Sequence, residues 1–149
     1  MLPQPILLVD DSPDDILTIN HALKRARILN PVQTVSNAED AMWYVKGEGL
    51  YSDRQAFPFP ALLLLDLKMP GRSGFEVLTW LKQNPRFRPA GVVILAGLND
   101  LKDIRRAYEL GANSFLTKPL QVEDLLNVVQ GLPGLGVSSL PEGIRLDLA

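Results

Sequence analysis

The sequence predicts an α/β protein, with five strands in a parallel sheet and helices on both of its faces. Three observations carry this prediction. Apolar runs such as Ile6-Leu7-Leu8-Val9 and Ala61-Leu62-Leu63-Leu64-Leu65 are short, unbroken and end on acids, as strands buried on both faces do. Stretches of helical apolar spacing separate the runs, so that strand and helix alternate five times. Residues suited to caps and turns, among them Ser12-Pro13, Asn84-Pro85 and Gly111, mark the changes between them.

Taken in order, the first strand is 6–9. Ser12 then caps a helix with Pro13 at its first position, and Asp14 and Asp15 suit the positive end of the helix dipole. Ile16, Ile19, Leu23 and Ala26 share one face of that helix, which ends before Pro31. The second strand is 32–35. Ser36 or Asn37 caps a helix reaching about Lys46, and a long loop, 47–60, leads to the third strand at 61–65. Ser73 or Gly74 opens a helix bearing Phe75, Leu78 and Leu81 that stops at Asn84-Pro85. The fourth strand is 92–95. Asn99 caps a helix running to about Leu110, with Gly111 as its stop. A short fifth strand, 114–116, and a final helix, 122–130, complete the pattern.

The bulk numbers narrow the function. The 149 residues are 46% hydrophobic and 21% charged, ordinary values for one soluble domain with a real core. A net charge of −2 without a basic stretch gives nucleic-acid binding no electrostatic support. No apolar stretch approaches the length of a membrane helix, and the N-terminus lacks the regions of a signal peptide. The expectation is a cytoplasmic protein with no membrane partner. The absence of cysteine excludes disulfides and thiol chemistry. The one histidine, His21, cannot build a metal cluster alone and reads as a solvated residue on the outer side of its helix.

Ligands of open parallel sheets bind outside the carboxyl ends of the strands. Asp10 and Asp11 follow the first strand, Asp66 follows the third, and Lys118 follows the fifth. The fold would therefore gather three carboxylates and an ammonium in one crevice. Like charges about 4 Å apart repel by roughly 4 kcal/mol at an effective dielectric near 20, so the cluster calls for a cation. Oxygen-only ligands suit Mg²⁺. Asp66 would then be placed to attack phosphorus and form an acyl phosphate, with Lys118 and the metal stabilising the phosphoryl oxygens.

Three ordered segments, ILLVDDSPDD, LLLLDLKMPGRSGFEVL and GANSFLTKPL, together resemble the receiver domain of two-component response regulators. The resemblance covers residue 2 to about residue 132, and it implies a flavodoxin-like sheet of strand order 2-1-3-4-5. It further implies that Asp66 is the phosphoacceptor and that Asp10, Asp11, Asp66 and the backbone carbonyl of Lys68 hold Mg²⁺. Lys118 would bind the phosphoryl group, and Pro119 would follow a cis bond. Phe115 falls at the aromatic switch position. Ile16, Ile19 and Pro119 would belong to the surface that docks a histidine kinase. The implied protein is a stand-alone switch that catalyses only its own phosphorylation and dephosphorylation and acts on a downstream protein. A Mg²⁺-dependent phosphatase is the enzymatic rival, but such enzymes want a second acid two residues after the first, where this chain has Ser12.

One position departs from the family. The fourth strand usually ends on Ser or Thr, and here it ends on Ala96, which donates no hydrogen bond. The phosphorylated state would lose an interaction of about 1.5–3 kcal/mol, weakening the coupling to Phe115. The same departure favours an alternative, a degenerate receiver that acts mainly as a dimerisation module. Two residues on, apolar Leu98 cannot position an attacking water, which implies slow loss of phosphate.

Residues 1–132 make the receiver, and 133–149 read as a C-terminal arm. Ile144 to Leu148 alternates apolar and polar residues, and 135–140 is a candidate partner strand. Pro141-Glu142-Gly143 would form a three-residue hairpin loop with left-handed Gly143. An isolated hairpin is marginal in water, so the arm must pack on something. The expectation is a homodimer in which Leu140, Ile144, Leu146 and Leu148 reach a second chain, the alternative being an arm that folds back on its own final helix. Such arms and the long 47–60 loop resemble regulators that partner phytochrome-type kinases.

Overall fold

The structure, a computed structural model, describes residues 3–69, 71 and 73–148. Pro70 of the Lys68-Met69-Pro70-Gly71 turn lies outside them. The strands are β1 (Ile6–Val9), β2 (Val32–Val35), β3 (Leu62–Asp66), β4 (Gly91–Ala96) and β5 (Ser114–Thr117). They form one parallel sheet in the order β2-β1-β3-β4-β5. Between and after them run α1 (Pro13–Arg25), α2 (Ala38–Lys46), α3 (Gly74–Gln83), α4 (Leu101–Glu109) and α5 (Val122–Gln130). Two further strands, β6 (Leu135–Leu140) and β7 (Gly143–Leu148), make an antiparallel hairpin.

The pleat of the sheet sorts the core into two layers. Leu7, Val9, Leu63, Leu65, Val92 and Ile94 face α2, α3 and α4, meeting Tyr44, Leu78, Leu81 and Ala107. Ile6, Leu8, Leu62, Leu64, Val93 and Leu95 face α1, α5 and the hairpin, meeting Ile19, Leu23, Leu125 and Leu146. Both faces are covered, which is why the central strands β1, β3 and β4 read as continuous apolar runs rather than alternating ones.

Side-chain caps form at α1 and α2, whereas the N-cap residues of α3, α4 and α5 make no capping hydrogen bond through their side chains. Ser12 caps α1 by accepting from the Asp15 N–H at 3.3 Å, and Asn37 caps α2 by accepting from the Asp40 N–H at 2.8 Å. Asp100, not Asn99, stands at the N-cap of α4, and its carboxylate does not cap the helix. It accepts instead from the Gly97 N–H at 2.7 Å and from Lys68 at 2.7 Å. The charge of Lys68 and a free amide at the end of β4 outcompete the helix amides for it. The long loop contains one turn of 3₁₀-helix, Gly49–Tyr51. It is held by Tyr44, whose hydroxyl donates to Pro58 O at 3.0 Å, and by Arg54, which donates to Val45 O and Phe57 O.

The hairpin packs on its own domain. Ile28 bridges Ile144, with the Leu29 N–H donating to Ile144 O at 2.8 Å and the Ile144 N–H to Arg27 O at 2.7 Å. Asn30, 5% exposed, then acts as a surrogate strand residue. Its side-chain amide donates to Leu146 O and its side-chain carbonyl accepts from the Leu146 N–H, both at 2.7 Å. Leu146 is fully buried in its own core and is not available to a second chain, contrary to its assignment to a dimer arm. The turn also differs from expectation. Leu140 pairs with Gly143, which leaves two residues, Pro141 and Glu142, in the loop. Gly143 takes a positive φ, 157°, which other residues rarely adopt, and a Cβ there would also collide with the Arg27 carbonyl oxygen.

Asn30→Ala leaves two buried backbone groups of Leu146 without these partners. Urea unfolding is expected to show a loss of about 2–4 kcal/mol, with proteolytic cleavage appearing first in the hairpin.

Candidate functional site

The register of the parallel sheet assembles the site. Val9 lies beside Leu65, so Asp10 and Asp66 emerge side by side from β1 and β3. Ala96 closes β4 opposite Thr117, so Lys118 emerges next to them from β5. The Lys118 N–H donates to Ala96 O at 2.8 Å, extending the ladder by one residue. Its peptide bond to Pro119 is cis. Gly74 lets α3 begin hard against the end of β3, because a Cβ there would lie 2.5 Å from the Asp66 carbonyl oxygen.

Asp10 has no exposed surface and Asp66 is 7% exposed. Asp10 Oδ1 accepts from the Ser12 N–H at 2.9 Å, and Oδ2 accepts from Lys118 Nζ at 3.0 Å. Asp66 Oδ1 accepts from the Lys68 N–H at 3.1 Å, and Oδ2 lies 3.6 Å from Lys118 Nζ. With Asp11, these acids offer three carboxylate oxygens within 4.8 Å of one another. Burial pushes the Asp66 carboxyl above its ordinary range, against the pull of the Lys68 N–H and Lys118. Burial works against the charge of Lys118 too, yet hydrogen bonds to Asp15 and Asp10 and the charge of Asp66 carry the ammonium upward on balance.

All three acids are hard oxygen donors, two of them are buried, and each of those two has one oxygen already held by a backbone amide. The set fits a divalent cation of the Mg²⁺ class, which takes one or two carboxylates and keeps part of its water. Asp10, Asp11 and Asp66 could hold it, and Lys68, two residues past Asp66, adds a carbonyl from the same turn.

The other expected residues are placed less uniformly. Phe115 points outward, 38% exposed, with Tyr108 edge-on at 6.3 Å between centroids. Ile16 is half-buried and Pro119 exposed, whereas Ile19 is 1% exposed and belongs chiefly to the core. Leu17 of the same helix is 72% exposed. Ile19 and Pro119 nevertheless line a shallow pocket of about 240 Å³ with Asp15, Thr18, Lys118 and Leu120. The residue that sequence reasoning missed is Asp15. It reads as a dipole-suiting acid of the first turn, but its Oδ2 lies 2.8 Å from Lys118 Nζ.

Comparison with known proteins decides the family. The response regulator receiver domain profile matches residues 6–130. The chain belongs to that family. The receiver is similar to the response regulator Rcp1 of Synechocystis sp. (strain ATCC 27184 / PCC 6803 / Kazusa), at 36% identity over 87% of this chain and 86% of Rcp1. The Mn²⁺-bound form of response regulator Rcp1 superposes with a TM-score of 0.70 at 34% identity, covering 92% of this chain and 100% of that one. The bacteriophytochrome response regulator RtBRR gives a TM-score of 0.82 at 33% identity, covering 95% and 83% of the two chains. The phosphorylated cyanobacterial phytochrome response regulator RcpA gives 0.70 at 34%, covering 87% and 90%. Among the described residues no helix is long and apolar enough to cross a membrane.

Mg²⁺ that binds only the folded receiver is expected to raise its melting temperature. The gain corresponds to about 2.7 kcal/mol at one hundred times the dissociation constant. Differential scanning calorimetry should show the rise in the native chain and its loss in Asp11→Ala.

Proposed function

We propose that this receiver is a cytoplasmic phosphorylation switch that takes a phosphoryl group onto Asp66 from a histidine kinase, in a reaction requiring Mg²⁺. One observation carries the reading. A buried carboxylate at the end of β3 lies between a backbone amide and an ammonium, with two further acids within 4.8 Å. The Lys68 N–H occupies Asp66 Oδ1 and leaves Oδ2, on the Lys118 side, as the nucleophile. The oxygen–phosphorus bond forms as the phosphorus–nitrogen bond to the donor's imidazole breaks; the pair of electrons returns to that nitrogen, and the ring, already protonated on its other nitrogen, leaves as neutral imidazole. Lys118 stabilises the charge that collects on the phosphoryl oxygens. A bound Mg²⁺, held by Asp10, Asp11, Asp66 and the Lys68 carbonyl, would neutralise the approach of an anionic phosphate to these acids. The chain acts on itself in this scheme and turns over no separate substrate.

Similarity to the phytochrome response regulators supports a phytochrome-type histidine kinase as the donor. The pocket beside Pro119 and the exposed outer face of α1 are the docking surface in this reading. A downstream protein reads the phosphorylated form. Ala96 at the end of β4 supports weakened coupling to Phe115, because no hydroxyl there follows the phosphoryl group. Residues 1–132 are the receiver and 133–149 an appended arm, through which the chain forms a homodimer. β6 supports that last part, since among the described residues it pairs with β7 alone, and an edge strand is a template for a second copy. Leu140, Ile144 and the 46% exposed Leu148 are the arm residues left for such a contact.

Acetyl phosphate with Mg²⁺ is expected to add one phosphoryl group by intact mass, and none to Asp66→Asn. A native chain that stays unmodified would mark the degenerate receiver instead. With beryllofluoride, Phe115 should stay outward in the native chain and turn inward in Ala96→Thr; full inward rotation in the native chain defeats the weakened coupling. Sedimentation should give a dimer, and Leu148→Glu a monomer of unchanged fold. A native monomer at high concentration would remove the dimer from the reading.

A further inference from the structure

The transfer reaction needs Lys118 at the phosphoryl oxygens, but the resting chain shares its ammonium among three acids. Nζ lies 2.8 Å from Asp15 Oδ2, 3.0 Å from Asp10 Oδ2 and 3.6 Å from Asp66 Oδ2. The shortest contact goes to the acid that is not one of the three clustered carboxylates. Asp15 is anchored in the first turn of α1, where its N–H donates to the capping Ser12 hydroxyl. Its side chain is 42% exposed, against 0% for Asp10 and 9% for Asp66.

We propose that Asp15 is a positioning residue that holds Lys118 in reserve, drawing its ammonium away from Asp10 and Asp66 before transfer and surrendering it to the phosphoryl group afterwards. The inference rests on the reading of Asp66 as phosphoacceptor. Of the three partners, Asp15 is the one that can be released cheaply. Its half-exposed carboxylate is taken back by water, whereas Asp10 would be left buried and unpaired. A phosphoryl group brings more negative charge than a carboxylate and makes strong charge-assisted hydrogen bonds, so it wins the ammonium from a pair screened by solvent. Before transfer the same sharing serves the opposite end. A cation that binds Asp10 and Asp66 competes with Lys118 for those acids, and Asp15 lessens that competition.

Two binding constants read these roles in opposite directions. In Asp15→Asn, Lys118 falls back on Asp10 and Asp66. Mg²⁺ binding by titration calorimetry is expected to weaken by about threefold or more. At saturating Mg²⁺, beryllofluoride should bind tighter by a similar factor, because no carboxylate competes for the ammonium. Asp15→Glu should restore native values of both. Asp14→Asn removes the same charge from the same exposed turn and should leave both near native. General damage to the fold would weaken both ligands together. Joint weakening, no change in either, or equal effects from Asp14→Asn overturns the proposal while leaving phosphate acceptance by Asp66 intact. A native chain that binds neither Mg²⁺ nor beryllofluoride overturns the proposed function itself, and this inference with it.

Discussion

Among the described residues, one ammonium stands against four carboxylates at the carboxyl edge of the sheet. Asp10, Asp15 and Asp66 lie within 4 Å of Lys118 Nζ, and Asp11 completes the cluster beside them. At full ionisation the group carries three negative charges more than it neutralises. At an effective dielectric near 20, each close pair of acids costs roughly 4 kcal/mol. Two backbone amides, those of Ser12 and Lys68, offset part of this by holding one oxygen each of Asp10 and Asp66. The remainder is an unmet demand for positive charge, directed at one place. Parallel topology leaves little choice in the matter, since whatever follows β1, β3 and β5 in the chain must meet there.

That edge is rigid because both faces of the sheet are covered. The α1/α5 face would be thinner without the hairpin, which adds Leu135 and Leu146 to its core. The hairpin is fastened from within the domain by the segment between α1 and β2. Arg27 and Leu29 supply backbone partners, Asn30 supplies a side-chain amide, and Gln4 accepts the Leu148 N–H at 3.1 Å. The outer edge of β7 is thereby closed and that of β6 is not, so any pairing with another chain is directed to β6.

The centre of the sheet was legible because strands buried on both faces leave an unbroken apolar signature, and β1 and β3 run into Asp10 and Asp66, residues too costly to bury without purpose. Joint placement of Asp10, Asp11, Asp66 and Lys118 at strand ends showed the crevice before any coordinates did. What stayed hidden depends on choices among competing partners. Asp100 replaces Asn99 at the start of α4 because Lys68, thirty-two positions away in the chain, claims its carboxylate. Periodicity has no means of marking such a contact. Asn30 imitating a strand is equally silent, since a lone asparagine before a proline reads as turn chemistry. Ile19 was placed by helical spacing on the face it occupies; its burial depended on how closely α1 lies against the sheet, which spacing leaves open. Asp15 had a sufficient reason to be where it is, the helix dipole, and a sufficient reason conceals a second one.

Ala96 and Asp15 bear on the same question, the route by which a phosphoryl group would be felt elsewhere. In the usual scheme a hydroxyl at the end of β4 moves toward the phosphate and vacates room for the aromatic residue of β5. With Ala96 there is no group to move, and Phe115 sits outward against Tyr108 with no pull upon it from that side. Lys118 remains. In the proposed scheme it would change partner when the phosphate arrives, it is covalently next to Pro119, and its shortest resting contact is to Asp15 of α1. A response carried by Lys118 is delivered to the pocket between α1 and Pro119 rather than to the outer face of β5. On this reading, the lack of a hydroxyl at Ala96 would redirect the switch toward the proposed docking surface. Phosphorylation would then act first on the receiver's hold on its own donor.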